Sequence, residues 1–167
     1  MKAEQVTAAL AVHGEGPVWW HDWGGLRWVD MLAGDVLSLD DSGDVGRMHV
    51  GDVAAALRPR RSGGMVVATE HDFVLVEDSV RTVATAFTDP AVRFNDGGCD
   101  PAGNFYCGTM RYDAGQGGGT LYRLTPDHTV DVVLRGVTVS NGLAWTDDGS
   151  TAYYVDTATN RIDRFDL

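Results

Sequence analysis

Gly16-Pro17-Val18-Trp19-Trp20, a polar turn over Asp22 to Gly25, Leu26-Arg27-Trp28-Val29-Asp30 and then Gly34-Asp35-Val36-Leu37-Ser38-Leu39-Asp40 form a unit that returns near the C-terminus. There it reads Gly142-Leu143-Ala144-Trp145, the turn Asp147-Asp148-Gly149, Thr151-Ala152-Tyr153-Tyr154-Val155-Asp156 and Arg161-Ile162-Asp163-Arg164-Phe165-Asp166. A middle copy runs from Gly97-Gly98-Cys99 through Phe105-Tyr106-Cys107-Gly108-Thr109-Met110 to Gly119-Thr120-Leu121-Tyr122-Arg123-Leu124. A weaker one spans Ser62-Gly63-Gly64-Met65-Val66-Val67-Ala68-Thr69, a His71-Asp72 turn and Phe73-Val74-Leu75-Val76-Glu77. Each copy sets short β-branched or aromatic runs between Gly, Asp and Pro, the pattern of antiparallel strands joined by tight turns. A period of roughly 40 to 50 residues built from such strands is that of propeller blades.

The predicted fold is therefore all-β, a single β-propeller domain over residues 1–167. Blades are expected near 13–57, 58–90, 91–136 and 137–167, with 1–12 as a strand that pairs with the last blade. Six such blades need roughly 240 to 300 residues, so this chain holds about three and a half. Length alone also admits a four-bladed ring. The last copy stops at Asp166-Leu167, and an open arc would leave strand edges unpaired. A larger ring cut short at its C-terminus is therefore a reading that stands beside the four-bladed one, with self-association through the open edges.

Composition narrows the partners. Hydrophobic residues make up 44% of the chain, enough for a packed core, and Asp+Glu 24 against Lys+Arg 13 give a net charge of -11. Such a surface repels phosphate backbones and excludes nucleic acid as a partner, while it favours bound cations. No apolar run reaches the length of a membrane span, and the stretch from Ala8 to Val12 is too short for a secretory signal. A cytoplasmic protein with no membrane partner is expected. Cys99 and Cys107 fall in adjacent strands of one blade and read as reduced packing thiols. The five tryptophans sit at blade positions and are expected in inter-blade core.

Three times an oxygen-bearing side chain precedes a glycine: Glu15-Gly16, Asp96-Gly97 and Asn141-Gly142. Equivalent positions of a circular repeat converge on its axis, where hard oxygens hold a divalent cation. Each pair also has a plain reading as a turn, and Asp96 serves equally as a cap on backbone N–H groups. The histidines form no His-x-x-x-His pair, no Gly-x-Ser-x-Gly elbow exists, and the Gly115–Gly119 run lacks the Lys-Ser/Thr of a phosphate loop. That run reads as a hairpin loop.

Taken together, His13-Gly14-Glu15-Gly16-Pro17-Val18-Trp19, Arg93-Phe94-Asn95-Asp96-Gly97 with Asp100-Pro101-Ala102-Gly103 and Gly108-Thr109-Met110, and Val139-Ser140-Asn141-Gly142-Leu143-Ala144-Trp145 resemble the senescence marker protein, regucalcin and gluconolactonase family. The resemblance implies a six-bladed propeller that hydrolyses sugar lactones with one divalent cation, Ca²⁺ first, with Zn²⁺, Mg²⁺ or Mn²⁺ as alternatives. It implies Glu15 and Asn141 as metal ligands and Arg93, Asn95 and Asp113 as substrate-binding residues. The family's third ligand, an Asp in a Pro-Asp-Gly segment that is also its favoured general base, is absent from this chain, so no catalytic residue is assigned. A non-catalytic calcium-binding propeller and an inactive fragment are the competing expectations.

Overall fold

The structure, a computed structural model, describes residues 1–167 as fifteen strands in four antiparallel sheets, each a meander in chain order. Blade 1 holds β1 Gly14–Trp20, β2 Gly25–Asp30, β3 Asp35–Asp40 and β4 Val45–His49. Blade 2 holds β5 Ala56–Pro59, β6 Met65–Ala68, β7 Asp72–Val76 and β8 Val80–Thr85. Blade 3 holds β9 Val92–Cys99, β10 Phe105–Arg111, β11 Gly119–Leu124 and β12 Val130–Val137, and blade 4 holds β13 Ser140–Trp145, β14 Thr151–Asp156 and β15 Asp163–Asp166. The first strand of each blade packs against the first strand of the next, β1 on β5, β5 on β9 and β9 on β13. This is the propeller-like arrangement that the sequence repeat predicts.

Residues 1–13 carry no strand, in place of the one expected over 1–12. Instead the end of this segment is tied to its own blade. Met31 N–H donates to the His13 carbonyl at 2.8 Å, and Asp30 accepts from the Val12 and His13 amides.

Successive blades are stitched by backbone. Ala54 N–H donates to the Met31 carbonyl at 2.9 Å, Phe94 N–H to the Glu70 carbonyl at 3.0 Å, and Met110 bridges Val139. Between the sheets lies one large apolar cluster across blades 1 to 3, with Phe94 and Phe73 fully buried and their rings 4.9 Å apart. Each such phenylalanine contributes about 1.5–3 kcal/mol by burial. A smaller cluster of Tyr106, Leu121, Val137 and Tyr154 joins blades 3 and 4. Close approach there requires Gly108, because a Cβ at that position would meet Ser140 Oγ at 1.8 Å.

The tryptophans depart from expectation in part. Trp145 packs on the backbone of Gly98 and beside Tyr106, at 5.1 Å between rings, whereas Trp19 is 64% exposed. Both cysteines are free. No helix is long and apolar enough to cross a membrane.

Candidate functional site

Strand alternation builds the site on β9. Successive side chains point to opposite faces, so Phe94 enters the core while Arg93 and Asn95 share the other face. Arg93 Nη1 donates to Asn95 Oδ1 at 2.8 Å and to the Phe94 carbonyl at 2.9 Å. Asn95 Nδ2 donates to the Ser140 carbonyl at 2.7 Å and reaches Asn141 Oδ1 at 3.3 Å. Arg93, Asn95 and Asn141 thus form one connected group where β9 and β13 begin.

Arg93 is only 7% exposed, yet it meets no carboxylate. Its remaining neighbours are soft: Met31 Sδ lies 3.1 Å from Nη1, Met110 Sδ lies 3.2 Å from Nη2, and the Tyr112 ring lies 5.8 Å from the guanidinium carbon. Burial pushes its pKa down. Arginine is rarely buried without an anionic partner, because the desolvation cost then goes uncompensated. A guanidinium kept this way is a ready donor to an oxygen-rich ligand.

Three inner strands are irregular at this level. The β1–β2 register shifts between Glu15 and Val18, the β13–β14 register between Asn141 and Leu143, and the β9–β10 register leaves Asn95 as the extra residue between Phe94 and Asp96. Bulges of this kind re-aim side chains next to functional sites. In the third copy it is Asn95 that meets Asn141, whereas Asp96 Oδ1 accepts from the Gly97 amide at 2.8 Å. Asp96 therefore has the capping role.

Two buried aspartates that the sequence reading left without a role set the strand starts. Asp30, 1% exposed, accepts from the amides of Val12 at 3.1 Å and His13 at 2.9 Å. Asp156 accepts from those of Thr138 at 2.8 Å and Val139 at 2.9 Å. Glu15 follows His13 by two residues and Asn141 follows Val139 by two, so the same device positions both. Burial alone would raise the Asp30 pKa, but the two amides and Arg47 outweigh it and hold the carboxyl below its usual value. The signal in the sequence was the recurring Val-Asp at a strand end, Val29-Asp30 and Val155-Asp156.

The other expected residues stand apart. Glu15 on β1 has a half-exposed side chain whose one polar neighbour is His13 Nε2 at 3.7 Å. Asp113 lies in the loop after β10, where it accepts from Arg111 Nε at 2.9 Å and from the Gly115 amide at 2.9 Å. The side chain that reaches Arg93 from this loop is Tyr112, whose phenol donates to Glu70 Oε1 at 2.5 Å. Burial and the Glu70 carboxylate push the Tyr112 pKa up to about 12, so it remains a neutral donor. Met31, Ser140 and Glu70 were invisible as site residues, since each depends on contacts between blades.

A profile of the SMP-30/gluconolactonase/LRE-like region matches residues 13–167. The chain is 35% identical over 172 residues to regucalcin of Danio rerio, covering 99% of this chain and 58% of the relative. It is 33% identical over 162 residues to a 6-deoxy-6-sulfogluconolactonase of Pseudomonas putida, covering 94% and 56%. Its backbone superposes on a crystal structure of a calcium-binding regucalcin of Agrobacterium tumefaciens with a TM-score of 0.90 at 26% identity, covering 97% and 56%. The chain thus spans a little over half the length of these relatives. A match over nearly all its residues, on the same blades that carry Arg93, Asn95 and Asn141, establishes that the chain belongs to the SMP-30/gluconolactonase/LRE-like family.

Proposed function

We propose that this chain carries the substrate-holding part, and two ligands of the metal site, of a metal-dependent sugar-lactone hydrolase. The observation that carries the reading is Arg93, buried without a carboxylate and hydrogen-bonded through Asn95 to Asn141. Kinship with a 6-deoxy-6-sulfogluconolactonase supports the substrate class.

The donor set fits a hard divalent cation. Glu15 performs no structural task beyond its long contact with His13, and Asn141 Oδ1 keeps a lone pair beside the weak 3.3 Å contact from Asn95. One carboxylate and one amide oxygen suit Ca²⁺, Mg²⁺, Mn²⁺ or Zn²⁺ with waters completing the shell. No group of three or more His, Cys, Asp and Glu gathers anywhere, so these two residues supply a minority of the coordination. Bound there, the cation would supply Lewis acidity toward the lactone carbonyl and lower the pKa of a water.

The chain's own residues bind and orient. Arg93 offers Nη2 to the hydroxyls of a sugar lactone or to the oxyanion that develops on its carbonyl, in a low-dielectric setting that strengthens the contact. Asn95 has both ends of its amide engaged and acts by positioning Arg93 and Asn141. Tyr112, fixed by Glu70, lies over the Arg93 guanidinium, in the same loop as Asp113. Calcium binding without turnover is the second reading, supported by likeness to a calcium-binding regucalcin.

Calorimetric titration of Ca²⁺ into the chain tests the ligand assignment. The expected result is one site that Glu15→Gln and Asn141→Ala each weaken about tenfold or more. Unchanged affinity in both variants would refute it.

A further inference from the structure

The inner strands run from the Arg93 end of the blades to an opposite end formed by Trp20, Pro59 and Cys99, and a cavity of about 550 Å³ opens there between blades 2 and 3. Its size is that of a small-molecule site, which lies at about 300–1,000 Å³. The walls are apolar: Val66 and Leu75 come from blade 2, and Phe105 and Leu124 from blade 3. All four are buried core residues, and Pro59, Pro101, Ala102 and Pro126 add to the apolar lining.

The rim carries both signs of charge, with one arginine left unpaired. Arg60 ion-pairs with Glu77, but Arg61 on the same turn has neither an ion-pair nor a hydrogen-bond partner, and His128 faces it from the β11–β12 turn. The one acid of the lining, Asp100, spends both oxygens on Asn104, accepting from its backbone amide at 2.9 Å and from Nδ2 at 2.7 Å. In a chain of net charge -11, a lining that holds two arginines and one carboxylate is a local departure. An aryl or alkyl body finds apolar contact, and an attached anion finds the unpaired Arg61. Cys99 lies in the wall with its thiol pushed up to about 11 by burial, so the site has no ready nucleophile and binding is noncovalent.

We propose that this cleft is a second ligand site, distinct from the Arg93 end, for a small amphipathic anion: an aromatic or aliphatic carboxylate or sulfonate with its apolar body between Leu75 and Phe105 and its charge at Arg61. The probe is 8-anilinonaphthalene-1-sulfonate, titrated by fluorescence and mapped by amide chemical shifts on the whole chain. Saturable binding is expected, with shifts confined to Trp20, Val66, Leu75 and residues 59–62, 99–105 and 124–128. Arg61→Glu, at an exposed turn, should weaken it about fivefold or more, and Arg81→Glu, outside the cleft, should leave it unchanged. The uncharged N-phenyl-1-naphthylamine should bind more weakly by a similar factor. Absence of saturable binding, shifts centred on Trp19 or Tyr153, or equal affinity in the Arg61 variant would each overturn the proposal. Equal affinity for the uncharged analogue would overturn its anionic half.

Discussion

Replacing Asp30 by alanine should loosen the start of β1 and with it the placement of Glu15. The carboxylate accepts two backbone amides, at 3.1 Å from Val12 and 2.9 Å from His13, and contacts Arg47 at 3.3 Å. An unsatisfied buried donor costs about 1–3 kcal/mol. Val12 is exposed, so its amide can turn to water, and the Arg47 side chain is 40% exposed and re-solvates cheaply. The expected loss is therefore about 2–3 kcal/mol, or roughly 5–10 °C in Tm for a chain of this size. Asp156→Ala should cost more, about 3–4 kcal/mol, because the Thr138 amide is buried and Ala158 N–H is a third donor at 3.2 Å. Asp41→Ala on the exposed β3–β4 turn is the control, expected within about 0.5 kcal/mol of the parent. Urea unfolding followed by tryptophan fluorescence reads all three. An Asp30→Ala variant as stable as Asp41→Ala would refute the reasoning that these aspartates anchor the inner strands.

Other perturbations follow from the same contacts. Gly108→Ala should destabilise the chain by several kcal/mol and detach blade 4 first, seen as early amide exchange in β13 to β15, since its Cβ would overlap Ser140. Acid should weaken the fold through Asp30 and Asp35: burial would raise both carboxyls, but Arg47 and the other donors hold them below their usual range. The stability they lend is complete above the unfolded value of about 3.9 and is lost as pH falls through the lowered folded values. Thermal melts from about pH 5 down to about pH 2 should show this loss, and Asp30→Asn with Asp35→Asn should flatten it. Cys99 and Cys107 should resist thiol reagents at pH 8 in the folded chain and react on unfolding, because burial raises both thiols.

Much of the architecture was legible because it is local. Alternating apolar runs between Gly and Asp turns mark every blade, and the positions of Glu15 and Asn141 follow from the repeat. What escaped depends on distance in sequence. Arg93 was identified by its motif, but its burial against Met31 and Met110 arises from three separate strands and loops. Asp96 looked equivalent to Asn141 by its following glycine, and a one-residue bulge in β9 gave that place to Asn95. Asp113 came from the family resemblance; its contact with Arg111 and the placing of Tyr112 over Arg93 are features of the folded loop. The end of the segment 1–12 is set by Asp30, a contact across seventeen residues that no local pattern announces.

The most direct test of the central claim is proton release from glucono-1,5-lactone by this chain, with Ca²⁺ or Mn²⁺ and then with excess chelator, beside Arg93→Met and Asn141→Ala. The account predicts hydrolysis above the spontaneous rate that chelation abolishes and that each substitution lowers at least tenfold. A rate equal to the spontaneous one with metal present would contradict it for this chain, as would hydrolysis indifferent to the chelator and to both substitutions.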